Sequence, residues 1–314
     1  MMVRYKTIES IPFAAGTALT IGTFDGVHLG HRSIIRELLN VARGSGERSV
    51  VLTFDPHPQQ VLRRTGEGVP ILTPIERKGD LLEELGVDIL GVIPFNREFA
   101  ATPWREFVDR LVDQIGLAHM VVGHDHAFGK GREGNAERLR EYGAERGFTF
   151  TQVGPLLVDG TPISSTRIRR AIAEGDVEEG ERLLGRPYRL FGRIVRGDQR
   201  GRELGFPTAN LEPLDPDQLV PGSGVYATRM MISGGDEGGG LAGMTNIGLR
   251  PTFTDGSRRT VETHLFDFSD ELYDRTVSIE FVKLLRFEKK FDSKEAFLEQ
   301  LGRDREGARS ALGL

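Results

Sequence analysis

Two histidines three positions apart, His28 and His31, stand inside the run GTFDGVHLGH at residues 22–31. At a helix start that spacing puts both rings on one face. A helix N-terminus favours an anion, because its free amides and its dipole point outward. Imidazoles there suit hydrogen bonding to nucleotide phosphates while negative charge moves during displacement at phosphorus. Gly22, Gly26 and Gly30 permit a tight turn and close approach of a ligand to the backbone. The spacing alone leaves two other readings open: a satisfied pair of turn histidines, or half of a zinc site.

A second group, Ile163-Ser164-Ser165-Thr166-Arg167-Ile168-Arg169, opens an amphipathic helix with three hydroxyl side chains. Hydroxyls at that position cap backbone amides or bind phosphate oxygens, and arginine offers a bidentate fork. A third, GDQRGRELGFPTAN at 197–210, holds Gly197, Gly201 and Gly205 for close backbone approach and Pro207 to stiffen the turn. Thr208 and Asn210 present oxygens on one side of an extended segment. The run lacks the lysine-hydroxyl ending of a Walker loop. Hard oxygens beside a phosphate are magnesium chemistry; a glycine-proline turn followed by an edge strand is the plainer alternative. Glu262 lies mid-strand in VETHLFDF, on the face of His264 and opposite Val261 and Thr263. A carboxylate there can accept the proton of an attacking hydroxyl, although a strand glutamate is usually solvated surface. Two phosphate sites of different design in one chain imply two phosphate-transfer reactions in succession.

The elements that must position these residues change type once along the chain. From residue 18 to about 153, short apolar runs alternate with amphipathic segments: ALTIG (18–22), VVLTF (50–54), VDILGVI (87–93), MVVG (120–123) and FTFTQV (148–153) read as strands. Ile34, Ile35, Leu38, Leu39 and Ala42 form one helical stripe. Trp104, Phe107, Val108, Leu111, Val112 and Ile115 form another, with Thr102 as N-cap and Pro103 at the first helical position. This alternation predicts a parallel sheet with helices on both faces, binding ligands beyond the carboxyl ends of its strands.

Beyond about residue 185 the helical period gives way to short strands: YRLFGRIV (188–195), GVYATRMMIS (224–233), LAGMTNIG (241–248), RTVETHLFDF (259–268) and TVSIEFVKLLRF (276–287). They predict an antiparallel barrel or sandwich. GGDEGGG (234–240) reads as a hairpin loop, and a terminal helix starting near Asp292 or Ser293 is expected to bury Phe297, Leu298 and Leu301.

Composition narrows the function classes. The 314 residues contain no cysteine, which excludes disulfides, thiolate catalysis and cysteine-ligated metal, and the cytoplasm is the expected compartment. A net charge of −5 argues against general nucleic-acid binding, so any anion site is local. Nothing approaches the ~18 consecutive apolar residues of a membrane span. The N-terminal MMVRYK and IPFAAGTALTIG loosely imitate a signal peptide, but Glu9 intervenes and the apolar part runs into the first motif. A homo-oligomer, if formed, is expected to be weak.

Taken together, HxGH after the first strand and ISSTRIR after the last resemble the nucleotidylyltransferase superfamily, in which these motifs flank the ATP triphosphate. GTFDGVHLGH, TFDPHP (53–58), GHDHAFGKGREG (123–134) and ISSTRIR more specifically resemble the flavin mononucleotide adenylyltransferase half of the bifunctional riboflavin kinase/FAD synthetase family, over most of residues 18–185. The resemblance implies a Rossmann-like domain over residues 1–185 in which His28 and His31 are catalytic. Gly22, Phe24, Asp25, Gly30, Ser164, Ser165, Thr166 and Arg167 would then bind ATP, and Phe54, Pro56, His57, Pro58, Asp125 and Phe128 would lie near the flavin. Position 126 departs from the family by holding histidine in place of phenylalanine.

GRELGFPTAN, GVYA (224–227), TNIGLRPTF (245–253), VETHLFDFSDELY and RFEKKFDSKEAF (286–297) resemble, in this order, the riboflavin kinase module. That resemblance implies a small closed antiparallel β-barrel with a terminal helix over residues 186–314. Gly201 and Thr208 would hold ATP, Thr208 and Asn210 magnesium, Arg250 and Phe253 the flavin, and Glu262 would activate the riboflavin 5′-hydroxyl. Asp274 stands where the family commonly has glycine. The expected substrates and products are ATP, riboflavin, FMN and FAD, with Mg2+ in both reactions.

Overall fold

The structure, a computed structural model, describes residues 1–62, 68–129, 131, 133–197, 206–234, 240–250 and 258–314, without the side chains of Leu249, Arg250 and Arg258. The chain forms two compact units, Met1–Ser165 and Thr166–Leu314.

The first unit is built on a six-stranded sheet whose pairings are all parallel, in the order β1-β4-β3-β2-β5-β6. Its members are β1 (Val3–Tyr5), β2 (Thr17–Ile21), β3 (Arg48–Asp55), β4 (Ile89–Pro94), β5 (Leu117–Gly123) and β6 (Thr149–Val153). Strands β2 to β6 coincide with the five apolar runs. The edge strand β1 went unrecognised because it is short and mostly exposed, leaving no alternation to read. Val50, Val51 and Leu52 are buried in succession because helices cover both faces.

On one face Ala18, Val51, Leu90 and Val121 form a cluster with Ile35, Leu38, Leu39 and Ala42 of α1 (Leu29–Ser45). After α2 (Pro58–Leu62), α3 (Ile75–Glu84) adds Leu82 to that cluster. On the other face Leu19, Ile21, Leu52 and Val122 pack with residues beyond α4 (Arg97–Ala100). These are Trp104, Phe107 and Val108 of α5 (Trp104–Arg110), its π-helical extension Leu111–Ile115, and Leu139 and Tyr142 of α6 (Ala136–Arg146). Helix α5 begins one residue later than its Thr-Pro signal predicts. Pro103 is itself the N-cap, at ψ 140°, with no side-chain cap bond. The amide of Thr102 closes the turn that ends α4 on the Phe99 carbonyl.

A two-stranded ribbon, β7 (Leu157–Val158) and β8 (Thr161–Pro162), leads into α7 (Ser165–Ala173), whose first residue ends the first unit. In the second unit α7 is followed by α8 (Val177–Leu184) and a closed barrel in the order β10-β13-β12-β11-β14-β9. Its strands are β9 (Tyr188–Val195), β10 (Ala209–Pro213), β11 (Gly224–Ile232), β12 (Leu241–Arg250), β13 (Arg258–Leu265) and β14 (Thr276–Phe287), and all pairings are antiparallel. Closure removes every edge. Strand β10 therefore bonds to β9 on one side and β13 on the other, which sets aside the edge-strand alternative for the segment after GRELGFP. The centre of the expected GGDEGGG loop, residues 235–239, lies outside the described residues, but the strands it joins pair as a hairpin.

Inside the barrel, Thr228, Thr245 and Thr263 are fully buried and linked hydroxyl to hydroxyl at 2.8 Å each, so their polar atoms are satisfied without water. The terminal helix α9 (Lys294–Ala311) is capped by Ser293, whose hydroxyl accepts from the Ala296 amide. Phe297, Leu298 and Leu301 are only partly buried, contrary to expectation. Asp304 and Ala308, further along the face that Phe297 and Leu301 share, are the fully buried positions, and the Arg286 guanidinium meets the Asp304 carboxylate there at 2.8–3.0 Å.

Candidate functional site

The turn between β2 and α1 lies where the strand order reverses, with β3 on one side of β2 and β5 on the other, the position at which open α/β sheets bind ligands. The local sequence forces it into an uncommon shape. Phe24 at φ 45° and Val27 at φ 39° both occupy the left-handed region, which a β-branched residue almost never enters. His28 is the N-cap of α1, and its Nδ1 accepts from the His31 amide at 3.2 Å. When neutral, the ring therefore carries its proton on Nε2. The two imidazoles stack at 3.5 Å between centroids, and Phe24 meets His31 edge-on at 5.3 Å. Gly30 leaves room for the His28 ring, and Gly22 for Phe24: a Cβ at either would stand 3.2 Å from the ring. These two glycines thus make room for neighbouring side chains, whatever ligand approaches them.

Asp25 is almost fully buried. Its carboxylate accepts from the Leu72 amide at 2.9 and 3.0 Å and from the Thr73 amide at 3.1 Å, just ahead of α3. Its carbonyl accepts from the Ser165 hydroxyl at 2.9 Å, which ties the ISSTRIR segment to the turn. Ser164 is exposed beside it. Sequence reasoning passed over Lys78, a buried residue of α3 whose ammonium donates to the Thr23 carbonyl at 2.8 Å and to Thr53 Oγ1 at 3.3 Å. Burial pushes this ammonium below the ordinary lysine range, while Asp25 and Asp55 pull the other way. A lysine on the apolar side of an amphipathic helix was the available signal.

The FDPHP turn leaves β3 next to this site. Phe54 packs against Phe95 and Phe99, Phe99 against Phe107, and Phe107 against Phe128 of the 123–134 loop, in a chain of ring contacts at 5.4–5.9 Å. Pro56 is exposed, and Pro58 opens α2. His57 Nδ1 accepts from the Gln59 amide. His126 meets Phe128 at 5.4 Å, so the residue that departs from the family still makes a ring contact. Gly129 is fixed at φ 76° with Trp104 2.6 Å from where a Cβ would stand. Asp125 is exposed at the end of β5. A cleft of about 450 Å³ lined by Thr7, Glu9, Asn96, Phe99 and Arg110, among others, contains none of the predicted residues.

In the second unit, Thr166 is exposed on α7, and the Arg167 guanidinium lies 2.6 Å from Glu179, whose other oxygen holds Arg182. In the barrel, Asn210 of β10 is directly opposite Glu262 of β13, and Glu262 is in turn opposite Asn246 of β12. The two residues singled out from distant motifs are therefore cross-strand neighbours on the face that alternates with buried Val261 and Thr263. Thr208 immediately precedes β10. Gly197 is where the Asn210 amide sits: a Cβ there would be 2.2 Å from its nitrogen. His264 was noted only as sharing a face with Glu262. Its Nδ1 lies 2.9 Å from the Pro207 carbonyl, and its ring meets Phe206 at 5.1 Å, which anchors the turn ahead of Thr208. Gly201, Phe253 and the side chain of Arg250 lie outside the described residues.

Among the described residues no cluster of three or more histidine, aspartate or glutamate side chains could hold a metal, so a preformed acidic cage or a zinc site built on His28 and His31 is not seen there. The hydroxyl of Thr208 and the amide oxygen of Asn210 are neutral hard donors with one carboxylate opposite. Such a set fits a magnesium ion that arrives on nucleotide phosphates and keeps much of its water.

Comparison with known proteins agrees with both halves. Residues 10–167 match the family model for FAD synthetase and residues 184–312 that for riboflavin kinase. The bifunctional riboflavin kinase/FMN adenylyltransferase of Listeria monocytogenes is 39% identical over 292 residues, 93% of this chain and 91% of its own. Its counterpart in Escherichia coli K12 is 39% identical over 300 residues, 95% and 94% of the two chains. A Streptococcus pneumoniae crystal structure described as a macrolide-efflux protein superposes with a TM-score of 0.89 at 31% identity, covering 98% of each chain. Efflux is that protein's description; in the present chain no helix among the described residues is long and apolar enough to cross a membrane. With a model for each half and relatives at this identity over more than nine tenths of its length, the chain belongs to the bifunctional riboflavin kinase/FMN adenylyltransferase family.

Proposed function

We propose that this chain makes FMN from riboflavin at its barrel and FAD from FMN at its parallel sheet, each reaction consuming ATP with Mg2+. The observation that supports this reading is the presence of two separate phosphate-handling constellations, one around His28 and His31 and one around Asn210 and Glu262. The functional division falls at residues 185/186, and the α7–α8 hairpin belongs to the adenylyltransferase half in sequence. The reactions take place in the cytoplasm, and neither demands more than a weak homo-oligomer.

At the barrel, Glu262 accepts the proton of the riboflavin 5′-hydroxyl as its oxygen bonds to the γ-phosphorus and the bond to the β-phosphate oxygen breaks, releasing ADP. Thr208 and Asn210 hold the magnesium, which neutralises phosphate charge when bound; Gly201 lies along the nucleotide, and Arg250 and Phe253 border the flavin. At the sheet, a phosphate oxygen of FMN attacks the α-phosphorus of ATP and pyrophosphate departs. His28 and His31 donate hydrogen bonds to the phosphates as charge moves to the leaving group. Gly22, Gly30, Ser164, Ser165, Thr166 and Arg167 bind phosphate oxygens, while Phe24 and Asp25 act from below by holding the turn. Phe54, Pro56, His57, Pro58, Asp125 and Phe128 border the isoalloxazine.

Purified chain incubated with riboflavin, ATP and Mg2+ is expected to yield FMN first and FAD second, resolved chromatographically, with neither formed when the metal is chelated. His31→Ala should abolish FAD formation and spare FMN formation, while Glu262→Ala should abolish FMN formation and still convert supplied FMN to FAD. Loss of both activities from either substitution would refute independent sites.

A further inference from the structure

The turn that carries His28 is held to the rest of its unit by two reciprocal polar links. From the turn, Asp25 reaches to the amides of Leu72 and Thr73. From α3, Lys78 reaches back to the Thr23 carbonyl at 2.8 Å, two residues before that carboxylate. Thr53, near the end of β3 and just before the FDPHP turn, completes the group: its hydroxyl donates to the same Thr23 carbonyl at 3.0 Å and accepts from Lys78 at 3.3 Å. One ammonium thus joins the β2–α1 turn, the end of β3 and the start of α3.

Burying a lysine is costly unless its charge is met by hydrogen bonds and opposite charge. An apolar residue at this helix position would fill the same space at no such cost, so packing alone does not account for Lys78. What the ammonium provides is a fixed position for the Thr23 carbonyl, and it does so immediately before the two strained residues Phe24 and Val27. A turn held in sparsely populated backbone conformations persists only when its surroundings over-determine it. The Lys78 ammonium lies too deep to touch a ligand, with the residue 5% exposed.

We propose that Lys78 is a positioning residue for adenylyl transfer: by clamping the Thr23 carbonyl it holds the 22–28 turn in the shape that presents His28 and His31 to the ATP phosphates. This rests on the assignment of ATP to residues 22–31. The test uses the full-length chain with FMN, ATP and magnesium, and compares Lys78→Met, which keeps the bulk and removes the ammonium, with His31→Ala. Lys78→Met is expected to lower kcat for FAD formation by roughly ten- to a hundredfold, as a misplaced catalytic group would. It should also raise KM for ATP several-fold and leave riboflavin phosphorylation within about twofold. A merely structural role would reduce the active fraction, and so kcat, without moving KM. An unchanged KM for ATP therefore overturns the proposal, however far kcat falls.

If Lys78→Met does not fold, Thr53→Val decides the matter, since it keeps shape and charge and removes only the bridging hydroxyl. A rise of about threefold in KM for ATP supports the clamp, and an unaltered KM refutes it. FAD formation persisting in His31→Ala would instead overturn the underlying assignment of ATP, which distinguishes the two failures.

Discussion

Among the described residues of the first unit, left-handed backbone in non-glycine residues occurs at Phe24, Val27 and Asp159, and the first two lie just ahead of the N-cap histidine. Each such residue costs of order 1–3 kcal/mol. The side chains of Phe24 and Val27 are buried in the core beneath α1, so hydrophobic packing offsets that strain. Asp274 offers the contrast. It holds φ 61° on the surface of the second unit, and only its backbone is engaged, its amide donating to Ile194. Here the left-handed conformation serves an exposed turn, so an aspartate, unlike a glycine, carries a small net cost. Asp274→Gly is expected to stabilise the second unit by about 0.5–1 kcal/mol in urea unfolding, with both activities unchanged.

Among elements, the pairing of β10 with β13 sets the proposed kinase site. A slip of one residue would turn Asn210 and Glu262 to opposite faces. Register is held by the buried positions that alternate with them, Leu211 on β10 and Val261, Thr263 and Leu265 on β13. The terminal helix is pinned to the barrel by a different device, the Arg286–Asp304 pair, with Gln300 donating to the same carboxylate at 2.8 Å. Removing Asp304 would leave a guanidinium that is only 17% exposed without its counter-ion. Asp304→Ala should therefore cost about 3 kcal/mol, measured by denaturant unfolding of the second unit. Ser293→Ala, which deletes only the cap of the same helix, should cost about 1 kcal/mol. Equal losses would mean that the ion pair contributes no more than a surface contact.

For the whole molecule, each compact unit builds its own core, and the two histidines and the Asn210–Glu262 pair belong to different units, so the two proposed reactions are expected to be separable. An equimolar mixture of His31→Ala and Glu262→Ala chains, each unable to take riboflavin to FAD, should restore that conversion as FMN passes through solution. A mixture that makes FMN but no FAD would show that the adenylyltransferase takes FMN only from its own chain. The sequence by itself determined the two architectures and most strand positions, because periods of two and of 3.6 residues follow from burying one face of a strand or helix. It singled out candidate chemistry-bearing residues too, since their types and short-range spacing are local. It missed β1, which buries little, and it did not foresee that the most buried positions on the Phe297–Leu301 face of α9 would be Asp304, paired with Arg286, and Ala308. Only the tertiary structure decided that β10 is an inner member of a closed barrel with Asn210 opposite Glu262. It likewise decided that a lysine 55 positions beyond Thr23 donates to the carbonyl of that turn. Such meetings are fixed by which distant segments pair and in what register, and no local pattern of residues encodes that choice.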